Sequence, residues 1–180
     1  MKAVLISIRP KWVEKIAIGK KTIEVRKTAP KIETPFKCYI YETKAQYITY
    51  QKGALTKYGY GRGKVIGEFI CDSITKYDYF TPYDSEDFCH AVPQGELGKT
   101  CLENYELDEY LGRQAGYGWH ISNLKIYDKP KELSEFIKPC EVCGYKELKL
   151  NTVKRCGNCS QSEFLTRPPQ SYCYVEELSI

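Results

Sequence analysis

The sequence predicts an α+β domain with a small four-cysteine zinc ribbon near its C-terminus, and three observations carry that expectation. Five stretches, 2–8, 21–27, 36–41, 64–74 and 116–127, hold apolar residues in alternation or in short continuous runs, as half-buried and fully buried strands do. Between the first two, Trp12, Val13 and Ile16 recur at helical spacing. Further on, Cys140-x-x-Cys143 and Cys156-x-x-Cys159, 12 residues apart, have the spacing of two zinc knuckles, each turn aiming two thiolates at one tetrahedral ion.

The first strand, Lys2 to Ile8, is apolar on both faces and therefore expected to be buried. Pro10 starts a helix over Lys11 to Ile18, because its fixed φ suits the first turn, and Gly19 ends it by tolerating positive φ. From Lys21 the side chains alternate: Lys21, Ile23, Val25 and Lys27 take one face, Thr22, Glu24 and Arg26 the other. This stretch could hold Lys, Glu and Arg at the mouth of a cleft, although charges at a strand start are more often solvated surface. Pro30 and Pro35 mark a turn before the third strand, Phe36 to Tyr41. Residues 42–63 are rich in Lys, Tyr and Gly, and Tyr58-Gly59-Tyr60-Gly61-Arg62-Gly63 reads as a flexible loop, either functional or a plain hairpin connection. Within the strand Lys64 to Ile74, Glu68 is either an edge charge or a placed site group.

Residues 77–100 read as an acidic, aromatic insertion with a short helix at Ser85 to Phe88. A helix over Cys101 to Tyr110 follows, with Leu107, Tyr110 and Leu111 as its buried stripe. Gly116 to Tyr127 is expected to be a strand pair whose core residues are Trp119, Ile121, Leu124 and Ile126. Pro130 leads a short helix, Lys131 to Phe136, into the ribbon, and after Pro168-Pro169 the segment 170–175 is a final strand.

Length and composition bound the function. A chain of 180 residues, 42% hydrophobic and 28% charged, can bury one good core without disulfides. Its apolar runs are too short for a signal peptide or a membrane span, and nine cysteines without a signal sequence suit a reducing compartment, so a cytoplasmic monomer is expected. Net charge is only +4, but residues 1–64 carry 15 Lys and Arg against 4 acidic residues, whereas 65–136 carry 6 against 14. Tyr39, Tyr41, Tyr47, Tyr50, Tyr58 and Tyr60 lie among the early lysines, a mixture that neutralises phosphates and stacks bases, or equally suits half-buried strands.

Ile6-Ser7-Ile8-Arg9-Pro10, the helix to Ile16 and Gly19-Lys20-Lys21-Thr22-Ile23-Glu24-Val25-Arg26 together resemble the signature of the ASCH domain, a member of the PUA-like superfamily. Gly118-Trp119-His120-Ile121, followed by Leu124-Lys125-Ile126-Tyr127, resembles the strand that closes this family's barrel. The resemblance implies a small β-barrel with flanking helices over residues 1–136 and a Pro168-Pro169-Gln170-Ser171 segment that docks beside Gly118–His120, which makes the ribbon at 137–165 an insertion and 166–180 a C-terminal strand returning to the barrel. It also implies a cleft beneath the Gly19–Arg26 loop, used by relatives to bind RNA or single nucleotides; a few relatives hydrolyse acylated cytidines or cleave RNA.

Two functions from different classes follow. As a binding module for RNA, single-stranded nucleic acid or a nucleotide, the domain would use Lys21 and Arg26 as donors and Glu24 as acceptor for an exocyclic amine. Trp119 or a loop Tyr would supply the stacking face, with Ser7, Arg9 and His120 completing the ligand set. As a hydrolase it would use Lys21 and Glu24 as the catalytic residues, with His120 or Glu24 as base in a ribonuclease. The amidohydrolase relatives use a Thr where this chain has Glu24, so their mechanism does not transfer directly. The one cofactor expected is structural Zn2+ on Cys140, Cys143, Cys156 and Cys159. Cys38, Cys71, Cys89, Cys101 and Cys173 form no second site by spacing.

Overall fold

The structure, a computed structural model, describes residues 1–51, 54–83, 87–139 and 164–178, leaving aside the side chains of 47–51 and 54–58. The four ribbon cysteines, and residues 85 and 86 of the helix expected at Ser85 to Phe88, lie outside the described residues. In chain order the elements are β1 (Lys2–Ile8), α1 (Pro10–Ala17), β2 (Ile23–Arg26), β3 (Phe36–Glu42), β4 (Gln46–Gln51), β5 (Ala54–Tyr60) and β6 (Val65–Tyr77). There follow β7 (Tyr79–Phe80), β8 (Cys89–His90), α2 (Leu97–Thr100), α3 (Asn104–Leu111), β9 (Gly116–Lys131), a 3-10 turn at Leu133–Glu135 and β10 (Tyr172–Glu176). Six strands form one sheet in the order β10-β1-β3-β6-β9-β2. The fold is thus α+β as expected, but among the described residues the sheet is open, with β10 and β2 as its edges, and is not the closed barrel that the family resemblance implies.

The chain divides into two compact units. The first holds residues 1–13, 37–68 and 125–180. At its centre β1 runs parallel to β3, with Val4 opposite Cys38 and Ile6 opposite Ile40, and antiparallel to β10, with Ala3 opposite Val175. Pairing on both edges explains why β1 is apolar on both faces, and Ala3 through Ile8 are all buried. Ala3, Leu5, Tyr39, Tyr41, Val65, Phe136, Leu165 and Val175 make the core, in which Tyr39 and Phe136 meet edge to face at 4.9 Å. Ile137 bridges to Phe164, and the Leu165 N–H donates to the Phe136 carbonyl at 2.8 Å, so residues 136–137 and 164–165 lie side by side.

Several expectations for this unit need correcting. The Pro168–Ser171 segment lies against the end of β1, where the Ser7 hydroxyl and N–H donate to the Pro169 and Ser171 carbonyls, the final strand adds to β1, and the loop expected at 58–63 begins only after Tyr60, because β4 and β5 pair as an antiparallel hairpin. Strand β9 runs unbroken from Gly116 through Pro130, which cuts the expected helix down to Leu133–Glu135 and leaves Ile126, read as core, 40% exposed. Glu68 lies on β6, between β3 and β9, and is not an edge charge. It accepts a hydrogen bond from the Tyr127 phenol at 2.5 Å and faces the Lys37 ammonium at 3.8 Å, and both its burial and this acceptor hold the Tyr127 phenol protonated well above its ordinary range.

The second unit holds residues 14–36 and 69–124. Gly19 takes φ +73°, and the N–H groups of Lys20 and Lys21 both donate to the Lys15 carbonyl, closing α1 with the bonds a left-handed C-terminal residue permits. Strand β2 pairs with β9 in the register Ile23↔His120, Glu24↔Trp119, Val25↔Gly118, Arg26↔Tyr117. Val25, Tyr77, Leu107 and Leu111 form the core. Gly118 is required there, since a Cβ would collide with the Tyr77 phenol. Helix α3 starts at Asn104 behind a reciprocal capping box between Glu103 and Glu106, later than expected because Cys101 sits at φ +56° and ends α2. Tyr110, expected in the buried stripe, is 41% exposed beneath the Lys27 ammonium, 5.4 Å from its ring centre. His90 ties the hairpin β7–β8 to α3 through Asp108, at 2.7 Å, and also faces the Gln114 carbonyl at 2.9 Å.

Candidate functional site

Two polar clusters occupy opposite faces of the β2–β9 pair, since residues directly opposite in an antiparallel ladder share a face and successive ones alternate. On the first face are Glu24, Arg26, Trp119 and Tyr117. Lys21 joins them. The strand was expected to begin at Lys21 and send that side chain to the other face, but the turn onto the Lys15 carbonyl delays β2 until Ile23 and breaks the alternation. The Lys21 ammonium lies 3.3 Å from Glu24 Oε2, the Arg26 Nη2 lies 3.1 Å from Glu24 Oε1, and Lys21 Nζ also donates to the Thr100 carbonyl at 2.7 Å. The last contact places the C-terminal end of α2 over the cluster, where a helix favours a cation.

These three charges are not at an open mouth. Lys21, Glu24 and Arg26 are 2%, 6% and 7% exposed. Burial pushes the Lys21 ammonium below its ordinary range, against the opposing pull of Glu24. Trp119, expected to stack on a ligand, is fully buried and meets Phe36 edge to face at 5.9 Å. Ser7 is likewise a structural group, since its hydroxyl donates to the Pro169 carbonyl at 2.7 Å. Arg9 is exposed.

On the second face His120 leaves the lysine cluster and enters a different one. Its Nε2 lies 2.9 Å from Thr75 Oγ1 and 3.4 Å from Glu96 Oε1. The Thr75 hydroxyl donates to Glu96 Oε1 at 3.1 Å, and the Tyr77 phenol donates to Glu96 Oε2 at 2.8 Å. With the Thr75 proton on Glu96, the short contact to His120 requires the imidazole Nε2–H to donate. Burial, together with the Glu96 acceptor, keeps the Tyr77 phenol protonated far above its ordinary range. Glu96 and His120 retain 14% and 24% side-chain exposure, so solvent reaches this cluster while the other is sealed. Sequence reasoning missed Thr75, Tyr77, Glu96 and Thr100. The single local signal was Gly95, which takes φ +82° and introduces Glu96 ahead of α2.

Among the described residues no group of three or more His, Cys, Asp and Glu side chains is arranged to hold a metal ion, and no helix is long and apolar enough to cross a membrane. The profile of the ASCH domain matches residues 6–138. A crystal structure of a single-substitution mutant of the ASCH protein from Zymomonas mobilis is 16% identical, with a TM-score of 0.52 over 97% of this chain and 89% of that one. The crystal structure titled ASCH from the same organism is 18% identical and covers 73% of each chain, with a TM-score of 0.48. A search of curated proteins finds no match. With three quarters of the chain inside that profile, carrying the Gly19-to-Arg26 stretch and the Gly118–His120 strand, the protein belongs to the ASCH domain family.

Proposed function

We propose that this ASCH domain binds RNA or a nucleotide. The observation that carries the reading is the sorting of charge in residues 1–64. Among side chains described there, Lys2, Arg9, Lys11, Lys20, Lys27, Lys31, Lys44 and Arg62 are exposed against a single exposed acid, Glu33. Glu24 and Glu42 are buried, Glu24 between Lys21 and Arg26 and Glu42 against Arg62, so the positive excess of this half reaches solvent almost undiluted. Such a surface is suited to phosphates, whose neutralisation releases counterions. In this reading Lys21, Glu24 and Arg26 give the edge strand β2 a fixed shape and field, and Arg9 contacts ligand directly. Four-thiolate zinc on Cys140, Cys143, Cys156 and Cys159 completes the protein as a ribbon leaving between residues 139 and 164. Of the other thiols, Cys71 and Cys173 are poor competitors for the metal, since burial pushes Cys71 up to about 12 and Cys173 up to about 11.

The test is fluorescence anisotropy with a labelled single-stranded RNA across a salt series. Binding that weakens steeply with salt is expected; no binding at low salt to RNA or to any nucleotide overturns the reading. Metal analysis should return one zinc per chain, lost on Cys140→Ser.

A second reading, hydrolysis, is favoured by one observation: His120 and Glu96 stand 3.4 Å apart in a solvent-reached cluster, a pairing of base and acid that binding alone does not need. Turnover of an RNA or an acylated cytidine that His120→Ala abolishes, with affinity retained, would establish it.

A further inference from the structure

Three segments of the first unit are held side by side at one end of the parallel pair β1 and β3. The Ile8 carbonyl, where β1 gives way to Arg9-Pro10, accepts the Thr43 N–H at 3.0 Å just after β3. The Ala45 carbonyl accepts the Gly61 N–H at 3.1 Å, and the Glu42 carbonyl accepts the Gly63 N–H at 3.0 Å. Gly61 is packed so closely that a Cβ would strike the Thr43 carbonyl and crowd the Pro10 ring at 2.6 Å, and the Lys44 stem covers Gly63. Residues 9–12, 43–45 and 61–63 therefore form one continuous patch of surface.

What this patch shows to solvent is basic and aromatic. Arg9, Lys11, Lys44 and Arg62 are exposed. The acid at its base, Glu42, is buried and occupied, accepting the Arg62 backbone N–H at 2.8 Å and facing its guanidinium at 3.8 Å. That contact fixes the Arg62 backbone while its side chain remains 60% exposed. Trp12 is half-buried with the Lys11 ammonium 4.1 Å from its ring centre, and Tyr60, which ends β5 immediately before Gly61, is 65% exposed. Cations within a few residues of solvent-reached aromatic side chains are the parts of a platform for unpaired bases: the cations follow the backbone and the rings take bases, which a duplex keeps stacked inside.

We propose that Arg9, Lys11, Lys44 and Arg62, with Trp12 and Tyr60 beside them, form a binding strip for single-stranded nucleic acid. The proposal rests on the nucleic-acid reading above and assigns its contact surface to residues of the first unit rather than to Lys21, Glu24 and Arg26. The strip reads backbone charge and base planes, so RNA and DNA of one sequence are the two arms of its test, and any preference between them reports the 2′-hydroxyl.

The experiment uses the full chain, a fluorescein-labelled 12-nucleotide RNA, the matching DNA, and a duplex of the same sequence. The combined variant Lys11→Gln, Lys44→Gln, Arg62→Gln should weaken single-strand binding about ten-fold or more and flatten the salt dependence by about 2 units of slope, as expected for about three lost phosphate contacts. The control Lys76→Gln, Lys99→Gln, Arg113→Gln removes the same charge from exposed positions of the second unit, outside residues 1–64, and should change affinity less than about two-fold, because those side chains lie outside the strip. Of the two tryptophans Trp119 is fully buried, so quenching of intrinsic fluorescence on binding should come from Trp12 and disappear in Trp12→Phe. Equal losses in both triple variants, or none in either, overturn the strip while leaving nucleic-acid binding standing. Duplex bound as tightly as the single strand, or anionic lipid vesicles bound in its place, also overturns it. A parent protein that binds no nucleic acid overturns both proposals.

Discussion

The two clusters on either side of β2–β9 are built from comparable numbers of polar side chains, yet they solve the problem of burial differently. Lys21, Glu24 and Arg26 are ionic side chains brought together by one another and by a helix end, and water is excluded from them. Thr75, Tyr77, Glu96 and His120 surround a single carboxylate with hydroxyl donors and leave it partly wet. A sealed ionic cluster ties its members together, because removing one leaves another charge without its counterpart in a low-dielectric site. A half-open hydroxyl network tolerates loss, since water can replace a missing donor. The first arrangement favours shape and the second favours exchange of protons and ligands.

That contrast can be broken by substitution. Glu24→Ala should have the largest effect, costing about 3–5 kcal/mol in urea denaturation, because two buried cations lose a shared carboxylate; a loss below 1 kcal/mol would show that the cluster is not sealed. Tyr77→Phe should cost about 1.5–3 kcal/mol, the range for a hydrogen bond to a charged acceptor. It should also flatten the loss of stability above pH 10, where the unfolded phenol ionises and the folded one, its range raised, does not. His120→Ala should cost about 0.5–1.5 kcal/mol, water taking up the vacated bond. Lys21→Met should be smallest at neutral pH, within about 1 kcal/mol, because Arg26 still pairs with Glu24 at 3.1 Å while an apolar chain of similar length replaces an ion that was costly to bury. Its signature is in pH: with the folded Lys21 range below 10.5, the unfolded state binds more protons as pH climbs, so the parent should gain stability relative to Lys21→Met up to about pH 10.5. Denaturation series from pH 7 to 10.5 would show a flat difference if the ammonium were not desolvated.

Much of the framework was legible because it rests on local rules. Gly19 ends α1 as its freedom at positive φ demands, and the apolar runs at 2–8, 36–41 and 64–74 are strands. The site was legible in its members and not in its arrangement. Alternation counted from Lys21 put that residue on the wrong face, because the register of β2 is set by a backbone turn that side-chain patterning does not encode. Nor does sequence reveal that Thr100, 79 residues away, supplies the carbonyl that holds Lys21, or that Thr75 and Glu96 converge on His120. The 46–60 hairpin was missed because Lys and Gly at those positions weaken the strand signal, while pairing with a neighbour supplies what propensity lacks.

The pairing of β10 with β1 has a consequence for how the protein is made. Residues 172–176 provide the outer partner of a strand that leaves the ribosome well before them, and more than 160 residues separate the two. At a synthesis rate of about 5–20 residues per second, the exposed border of β1 waits on the order of ten seconds for its neighbour. During that interval an apolar strand with an unpaired row of amides is open to pairing with another nascent chain. A chain halted before residue 172 keeps that border permanently open, so misassembly, rather than simple loss of stability, is the expected fate of such a fragment.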